Sequence, residues 1–578
     1  VVLSHELWLR MFGGDPAAIG RTVRINGVPA EVVGVTAAGF RGLSMGGFFP
    51  QTEITLPLSA QPLVYPRFSS DRSLFTADDV FWLRVLARVP ADNSTAAVTA
   101  AFTAALRAVP SPANAGDTQP ANVKLLDGSR GAEPLRGEAA KLLYVLNIVV
   151  ALVLLIACLN LASLLLARGV SRQREMAVRR ALGGGRLRLV RQTLLESFVL
   201  GAAGTAGGLL LTVWARNALG AVMSSILNEA FGAVEVQLRL DPVILLVSAG
   251  LGVLAALLFG ILPALRLSGL DPMTWLKQRT SGAAPRLNAG RALIAFQIAV
   301  SVPLVAGAAL FLRTIANLST VPLGFDPTNL AVFQLDPGYT RVPESEYPRI
   351  YQQVLANVQA IPRVRSATLL ENALLSGITS STNVTLNGER KSLHMNAVGP
   401  GFLETMGMRL LAGRMPGLQD IDAAPDVGVL NETAVRELFG GRMPLGETLR
   451  AGRRDVQIVG IVSDSRYQNQ RDEIAPTLYD AALQRPGWGG HHIVLRTDVP
   501  LLRLEPAIRA AVARVDSDLP VPEIRSQTAL MARTSAREHV FARLLTAFGI
   551  IALLLASIGL HGVTAYAVTR RTSEIGVR

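Results

Sequence analysis

Residues 142–167 read LLYVLNIVVALVLLIACLNLASLLLA, 26 positions without one Asp, Glu, Lys or Arg. At about 1.5 Å per residue a helix of that length reaches ~39 Å, enough to cross a hydrocarbon core of about 30 Å. Four further stretches share the property: residues 197–215, 242–265, 292–312 and 544–569, of 19, 24, 21 and 26 residues. Soluble core helices seldom need such runs, so the chain reads as an integral membrane protein with five spans.

Charge sets the expected orientation. The formal net charge is +13, and it resides in three short segments beside the apolar runs. Residues 168–191 carry +7, residues 266–291 carry +4 and residues 570–578 carry +2. Short basic loops stay in the cytoplasm, and alternation of the five spans puts all three on one side. The large segments before residue 142 and after residue 312 then fall on the other side and are near neutral. Membrane orientation accounts for the arginines and leaves a nucleic-acid reading without support. The single cysteine, Cys158, lies inside the first span, so no disulfide braces the outer segments.

The chain repeats itself. Residues 2–35 read VLSHELWLRMFGGDPAAIGRTVRINGVPAEVVGV, and residues 430–462 read LNETAVRELFGGRMPLGETLRAGRRDVQIVGIV. Phe12-Gly13-Gly14 matches Phe439-Gly440-Gly441, and Ile19-Gly20 matches Leu445-Gly446. In each copy a helical apolar pattern meets Gly-Gly, and a strand pair follows. Asn26-Gly27 favours a two-residue hairpin turn in the first copy; Ala451-Gly452 is a weaker signal in the second. A second match joins Arg172-Gln-Arg-Glu175-Met-Ala-Val178-Arg179 to Arg571-Thr-Ser-Glu574-Ile-Gly-Val577-Arg578. The order of outer segment, span and Glu-x-x-Val-Arg recurs, as a tandem duplication would leave it. Both termini read as cut from a longer protein.

Outside the spans the pattern is mixed α/β. Residues 329–336 and 364–370 read as strands. Ile350, Val354, Val358 and Ile361 recur at helical spacing, with Pro362 as a stop. Leu504, Ile508, Val512 and Val515 form a second apolar stripe. Val98, Phe102, Leu106 and Val109 form a third, after the cap candidate Ser94. All three stripes are expected in a core.

The order of these parts resembles the FtsX/MacB-type ABC transporter permeases. Glu175-Met-Ala-Val-Arg179-Arg-Ala-Leu182-Gly183 is similar to the family's cytoplasmic Glu-Ile-Gly-Val-Arg-Lys-Ala-Leu-Gly signature, and Glu574-Ile-Gly-Val-Arg578 matches its start. Phe12-Gly-Gly-Asp-Pro16 through Val35 resembles the MacB-type periplasmic domain. The duplication points to the subgroup with two fused permease modules, common among acidobacterial sequences. Gly183-Gly184-Gly185 departs from the family pattern, which has a single Gly followed by Ala.

The resemblance implies an α+β membrane protein: a transmembrane helical bundle with two mixed α/β, MacB-like periplasmic domains. Residues 1–140 would be the first such domain, N-terminally incomplete, and residues 141–290 an FtsX-like module with three transmembrane helices and a coupling loop. Residues 291–313 would be a further span, residues 314–540 the second periplasmic domain and residues 541–578 the start of a second module. The coupling residues it implies are Glu175, Val178, Arg179, Ala181, Leu182, Gly183 and Arg186, with Glu574, Gly576 and Arg578 in the second element. A short helix over residues 172–182, broken at Gly183–Gly185 and restarted near Arg186, would act as a lever under the bilayer.

No Gly-x-x-x-x-Gly-Lys-Ser/Thr run occurs to cradle phosphates. The reading is therefore a non-enzymatic permease with no cofactor of its own, in which ATP is used by a separate ABC ATPase subunit. The expected location is the bacterial inner membrane, multi-pass, with a periplasmic adaptor and outer-membrane channel as further partners and no nucleic acid. The alternative is a non-transport regulator or scaffold of FtsX type that activates periplasmic hydrolases. A membrane-bound hydrolase using Ser44, in Gly42-Leu-Ser44-Met-Gly46, lacks the helix a nucleophile elbow needs.

Other features read as structural. His5-Glu6 lacks a second zinc ligand. His491 and His492 diverge on a strand, as a solvated or half-buried pair. His561, Asn147 and Asn160 are expected to make interhelical hydrogen bonds. Gly204-x-x-x-Gly208 suits close helix packing, and Pro303 is a kink candidate.

Overall fold

The structure is a computed structural model, and it describes residues 1–40, 52–64, 74–75, 83, 85–90, 92–108, 123, 125, 136–171, 186–231, 241–268, 288–340, 342–386, 389–421, 425–452, 454–484 and 490–575. The chain divides into two compact units. Val1–Arg136 with Pro322–Thr534 forms an outer unit; Gly137–Val321 with Ser535–Arg578 forms a membrane unit.

The outer unit begins with β1 (Val2–Leu3) and α1 (His5–Phe12), followed by the hairpin β2 (Thr22–Ile25) and β3 (Val28–Glu31), then β4 (Gly34–Val35) and β5 (Ile54–Thr55). Asn26 and Gly27 take φ of 49° and 74°, the paired positive angles of a type I′ turn. Helices α2 (Gln61–Val64) and α3 (Thr95–Ala108) follow. The Ser94 hydroxyl accepts from Ala97 N–H at 3.1 Å, as a cap should. Of the expected core stripe Val109 lies outside the described residues, and the rest is not in a core: no residue of α3 is buried, and Phe102 is 39% exposed.

The membrane unit holds α4 (Arg136–Ser171), α5 (Arg186–Phe231), α6 (Pro242–Ser268) and α7 (Asn288–Thr320). Among the described residues four helices are long and apolar enough to cross a membrane, over Leu143–Leu161, Leu194–Ala221, Ala295–Thr320 and Glu538–Gly562. The fifth apolar stretch lies in α6, a 27-residue helix. Helix α5 is described from Arg186 on, the expected break at Gly183–Gly185 lying outside the described residues, and α7 passes through Pro303 without ending.

The second part of the outer unit opens with β6 (Leu330–Leu335), α8 (Tyr347–Gln359) and β7 (Val364–Leu370). Helix α8 starts with Pro at its N-terminus and buries Ile350, Val354 and Val358, as their spacing requires. An insertion follows, with β8 (Ser380–Leu386), β9 (Glu389–Val398), α9 (Phe402–Met406), β10 (Leu410–Gly413), β11 (Val427–Asn431), α10 (Glu432–Phe439), β12 (Thr448–Ala451), β13 (Arg454–Val462) and β14 (Thr477–Ala481). The chain then returns through β15 (His491–Thr497), α11 (Leu501–Ala513) and β16 (Arg525–Ser526) into α12 (Gln527–Ile575).

Strands β7, β15, β6 and β16 lie in that order and pair antiparallel. With α8 and α11 they form a split β-α-β platform. The two helices meet on one core with Phe333, Leu369 and Ile493, and the Asn357 amide donates to Ala511 O at 3.1 Å. The insertion closes on itself: β8, β9, β14, β11, β13 and β12 pair in sequence, and β12 returns to β8 through Ala451 and Val384. Val384, Leu393, Leu449, Val456 and Leu478 fill this small barrel. Platform and barrel join where Leu370 of β7 pairs with Val398 of β9.

The two repeated stretches fold alike. Ser4 caps α1 by accepting from Leu7 N–H, and Asn431 caps α10 by accepting from Ala434 N–H. Both helices end on left-handed glycines, Gly13 at φ 62° and Gly440 at 61°. Gly20 N–H donates to Val32 O, and Gly446 N–H donates to Ile458 O, each at 2.8 Å. β1 runs parallel to β4, and β11 runs parallel to β13. Such positive-φ positions suit glycine because a Cβ there is strained.

Asn431 does more than cap: its carbonyl oxygen also accepts from Thr477 N–H at 2.9 Å, and its amide donates to Ala475 O at 3.0 Å. Asn431→Ala is expected to cost about 2–3 kcal/mol, a cap plus buried hydrogen bonds. Urea unfolding followed by tryptophan fluorescence of the full chain checks this; a loss under about 0.5 kcal/mol would contradict the three-way role.

Candidate functional site

Within the membrane unit, α4, α7 and α12 meet on buried polar groups. The Asn160 amide donates to Leu555 O at 2.6 Å, and the Gln297 amide reaches the same carbonyl at 3.4 Å. Both side chains are buried. An amide in hydrocarbon must find a partner inside the protein, and here it borrows a helix carbonyl one turn before Gly559. Glycine at 559 makes the approach possible, since a Cβ there would collide with Asn160 Oδ1 and crowd the Gln297 amide. A second close approach lies between α6 and α5, where a Cβ at Gly252 would stand 2.6 Å from Thr205 Oγ1. Gly204 and Gly208 face open space, so the expected glycine contact falls instead on Gly252.

In the outer unit, both ends of the platform chain are pinned. Gln527, the first residue of α12, is fully buried, and its amide donates to Leu374 O at 2.5 Å. Arg496 spreads its guanidinium over the segment that follows α7. It donates to Asp326 Oδ2 at 2.8 Å and to Asp326 O, Thr328 O and Thr405 O at 2.9 Å each. Burial raises the Asp326 carboxyl, but the Thr328 hydrogen bonds and the Arg496 charge outweigh it and hold the group below its ordinary range.

A family model for the MacB-like periplasmic core domain matches residues 1–105 and 243–511, more than half of the chain, and one for the FtsX-like permease C-terminal region matches residues 147–272. The chain belongs to the FtsX/MacB-type permease family. Curated relatives include the macrolide export ATP-binding/permease protein MacB of Aggregatibacter actinomycetemcomitans, 24% identical over 210 residues, covering 35% of this chain and 32% of the relative. The MacB of Agrobacterium fabrum is 25% identical over 221 residues, covering 36% and 34%. The chain thus spans about a third of the length of the curated relatives it matches. Among solved structures, the periplasmic region of MacB from Actinobacillus actinomycetemcomitans matches at 19% identity and a TM-score of 0.26, covering 36% of this chain and 91% of that one. The extracellular domain of the noncanonic ABC-type transporter YknZ matches at 13% identity and 0.23, covering 33% and 93%.

In this FtsX/MacB-type permease, the candidate coupling residues Glu175, Val178, Arg179, Ala181, Leu182 and Gly183 lie outside the described residues, as do Gly576 and Arg578. Arg186 begins α5, and Glu574 lies in the last turn of α12. Ser44 also falls outside the described residues. His491 departs from the expected solvated or half-buried pair: it is fully buried, stacked on Tyr351 at 4.9 Å. Its strand is central in the platform, so both faces are covered. His492 points the other way, its Nδ1 2.9 Å from Glu371 O, and burial pushes its pKa down. Among the described residues no group of three or more His, Cys, Asp or Glu is placed to hold a metal. Asn160 makes its expected interhelical bond, whereas Asn147 and His561 are exposed on their helices. Gln297, Gly559, Arg496 and Gln527 were not singled out by sequence. An amide in an apolar span signals Gln297, but nothing local marks the others.

Two outcomes are expected. Gly559→Ala destabilises the detergent-solubilised protein by about 1–3 kcal/mol through overpacking, more than Asn160→Ala at about 1 kcal/mol; SDS titration of helicity ranks them, and the reverse order would refute the close approach. Asp326, with its lowered pKa, contributes stability that is full above the unfolded value of about 3.9 and is lost as pH falls through the lower folded value. The thermal midpoint therefore falls below about pH 4, and Asp326→Asn flattens that fall; an unchanged acid limb would contradict the assignment.

Proposed function

We propose that this chain is the permease subunit of an ABC-type exporter, in which a separate cytoplasmic ATPase drives the outer domains through the membrane helices. The observation that carries the reading is α12, one uninterrupted helix of 49 residues from Gln527 to Ile575. At about 1.5 Å per residue it is ~74 Å long, well beyond a hydrocarbon core. Its first residue is fully buried in the outer unit with its amide on Leu374 O, and its last turn contains Glu574 of the Glu-x-x-Val-Arg element.

In this reading the ATPase engages two equivalent elements. One contains Glu175, Val178, Arg179, Ala181, Leu182, Gly183 and Arg186, and the other contains Glu574, Gly576 and Arg578. The protein is multi-pass in the bacterial inner membrane, with the basic segments in the cytoplasm and the lobes in the periplasm, where an adaptor and an outer-membrane channel would join it. The chain performs no chemistry itself and needs no cofactor, ATP being consumed by the partner. Matching caps, glycines and strand pairings in the repeated stretches support a tandem duplication, which supplies two modules in one chain. The charge-poor spans favour work on the outer face over a wide aqueous pore.

Co-expression with a cognate ABC ATPase tests the reading. The ATPase should co-purify with the permease, and the double change Glu175→Lys, Glu574→Lys should weaken its retention at least about tenfold, a like-charge effect of about 1.4 kcal/mol or more. Ala532→Pro should spare retention and abolish transport, because proline breaks a helix interior. Undiminished transport by the proline variant, or undiminished retention by the double variant, would sink the proposal.

A further inference from the structure

Residues 463–468, SDSRYQ, leave the barrel as the continuation of β13 and touch four separate parts of the outer unit. Toward α7, Arg466 N–H donates to Leu323 O at 2.9 Å. One residue on, Gly324 at φ 81° lies so close to the strap that a Cβ would collide with Asp464 O. Toward α12, Leu375 N–H donates to Tyr467 O at 2.7 Å and Gly377 N–H donates to Gln468 O at 3.1 Å. Those two residues follow closely on Leu374, whose carbonyl holds the Gln527 amide, and Leu530 and Met531 of α12 pack on the same core as Leu374 and Leu375.

The other contacts face the barrel. The Tyr467 hydroxyl donates to Met395 O of β9 at 2.7 Å, and the Ser465 hydroxyl lies 2.9 Å from that of Tyr479 on β14. The Asp464 carboxylate accepts from Thr433 N–H at 2.9 Å and Thr433 Oγ at 2.8 Å, at the start of α10. Tyr467 is deeply buried, and burial holds its phenol well above the ordinary range, so the hydroxyl stays a donor. Leu375 takes a positive φ of 56°, a conformation that costs a branched residue energy and persists only where neighbours impose it.

We propose that this strap is the coupling element of the outer unit: it carries displacement of the barrel to the outer ends of α7 and α12 together. The inference rests on the exporter reading, because it names where outer motion would enter the membrane helices. The mechanism is geometric. The segment just after α7, through Leu323, and the turn that holds Gln527 of α12, through Leu375 and Gly377, both hydrogen-bond to one six-residue backbone whose own anchors lie in the barrel, so neither can shift without displacing the strap. Gly324 is the position at which contact is closest, and Tyr467 is the pin into the barrel.

Amide hydrogen exchange on the full chain in nanodiscs tests the strap without requiring transport. In the wild type the amides of Arg466, Leu375 and Gly377 should be protected to a similar degree. Gly324→Ala wedges the α7 side, and all three should exchange at least tenfold faster together. Tyr467→Phe keeps the ring and removes only the hydroxyl bond, so it serves should the alanine variant not fold; the same three amides should respond together. Acceleration confined to the amide nearest the substitution overturns the proposal. With an ATPase present, both variants should retain it and lose at least tenfold in ATP-driven transport. Coupled exchange without ATPase retention in the wild type would remove the exporter reading while leaving the strap intact; retained ATPase with uncoupled exchange would remove the strap alone.

Discussion

Every part of this protein is constrained by the need of its long helices for a hydrocarbon solvent. Leu210, Trp214 and Leu246 are 74%, 70% and 73% exposed on their helices, which water would not tolerate across so many positions. In a bilayer the helix satisfies its own backbone, so the apolar surface becomes stabilising and only polar side chains need arrangement. The Asn160 and Gln297 amides show how that need is met: both turn inward to one carbonyl, and Gly559 makes room. Helix contact is thus fixed by small residues and a few hydrogen bonds, with little help from hydrophobic burial.

Outside the spans the physics is that of a soluble domain. The platform and the barrel each bury a continuous apolar core, and a shared strand pairing at Leu370 and Val398 joins them. In the exporter proposed above, outer displacement would reach the helices through polar connections that cannot slide. Arg496 on Asp326, Gln527 on Leu374 O and the strap at residues 463–468 are the candidates. Each is a set of directional bonds at an element's end, where a small rotation breaks contact.

Much of this was legible in the sequence because it depends on local chemistry. Residues 364–370 read as a strand and form β7 over those residues; Pro362 lies just beyond the end of α8; Asn26-Gly27 makes its turn. The closed circuit of the barrel was not legible, since β12 meets β8 through a single pair 67 positions apart in sequence, Ala451 and Val384. The strap was equally hidden. Its bonds to Leu323 and Leu375 use backbone groups, which every residue carries. Gly204-x-x-x-Gly208 misled for a related reason: spacing identifies a smooth helix face, not what lies opposite, and the close contact formed at Gly252. The α3 stripe shares the apolar period of the α11 stripe, yet only the latter is buried, because α8 lies beside it.

Sidedness is the premise on which rods, lobes and coupling elements all rely, and cysteine labelling reads it directly. With Cys158 replaced by serine, a membrane-impermeant maleimide is applied to cells carrying Asp472→Cys, on an exposed outer-unit loop, or Ala181→Cys, beside Arg180. The account predicts labelling at 472 once the outer membrane is permeabilised, and at 181 only after the inner membrane is lysed. Labelling at 181 in cells with an intact inner membrane, with 472 protected, would contradict it.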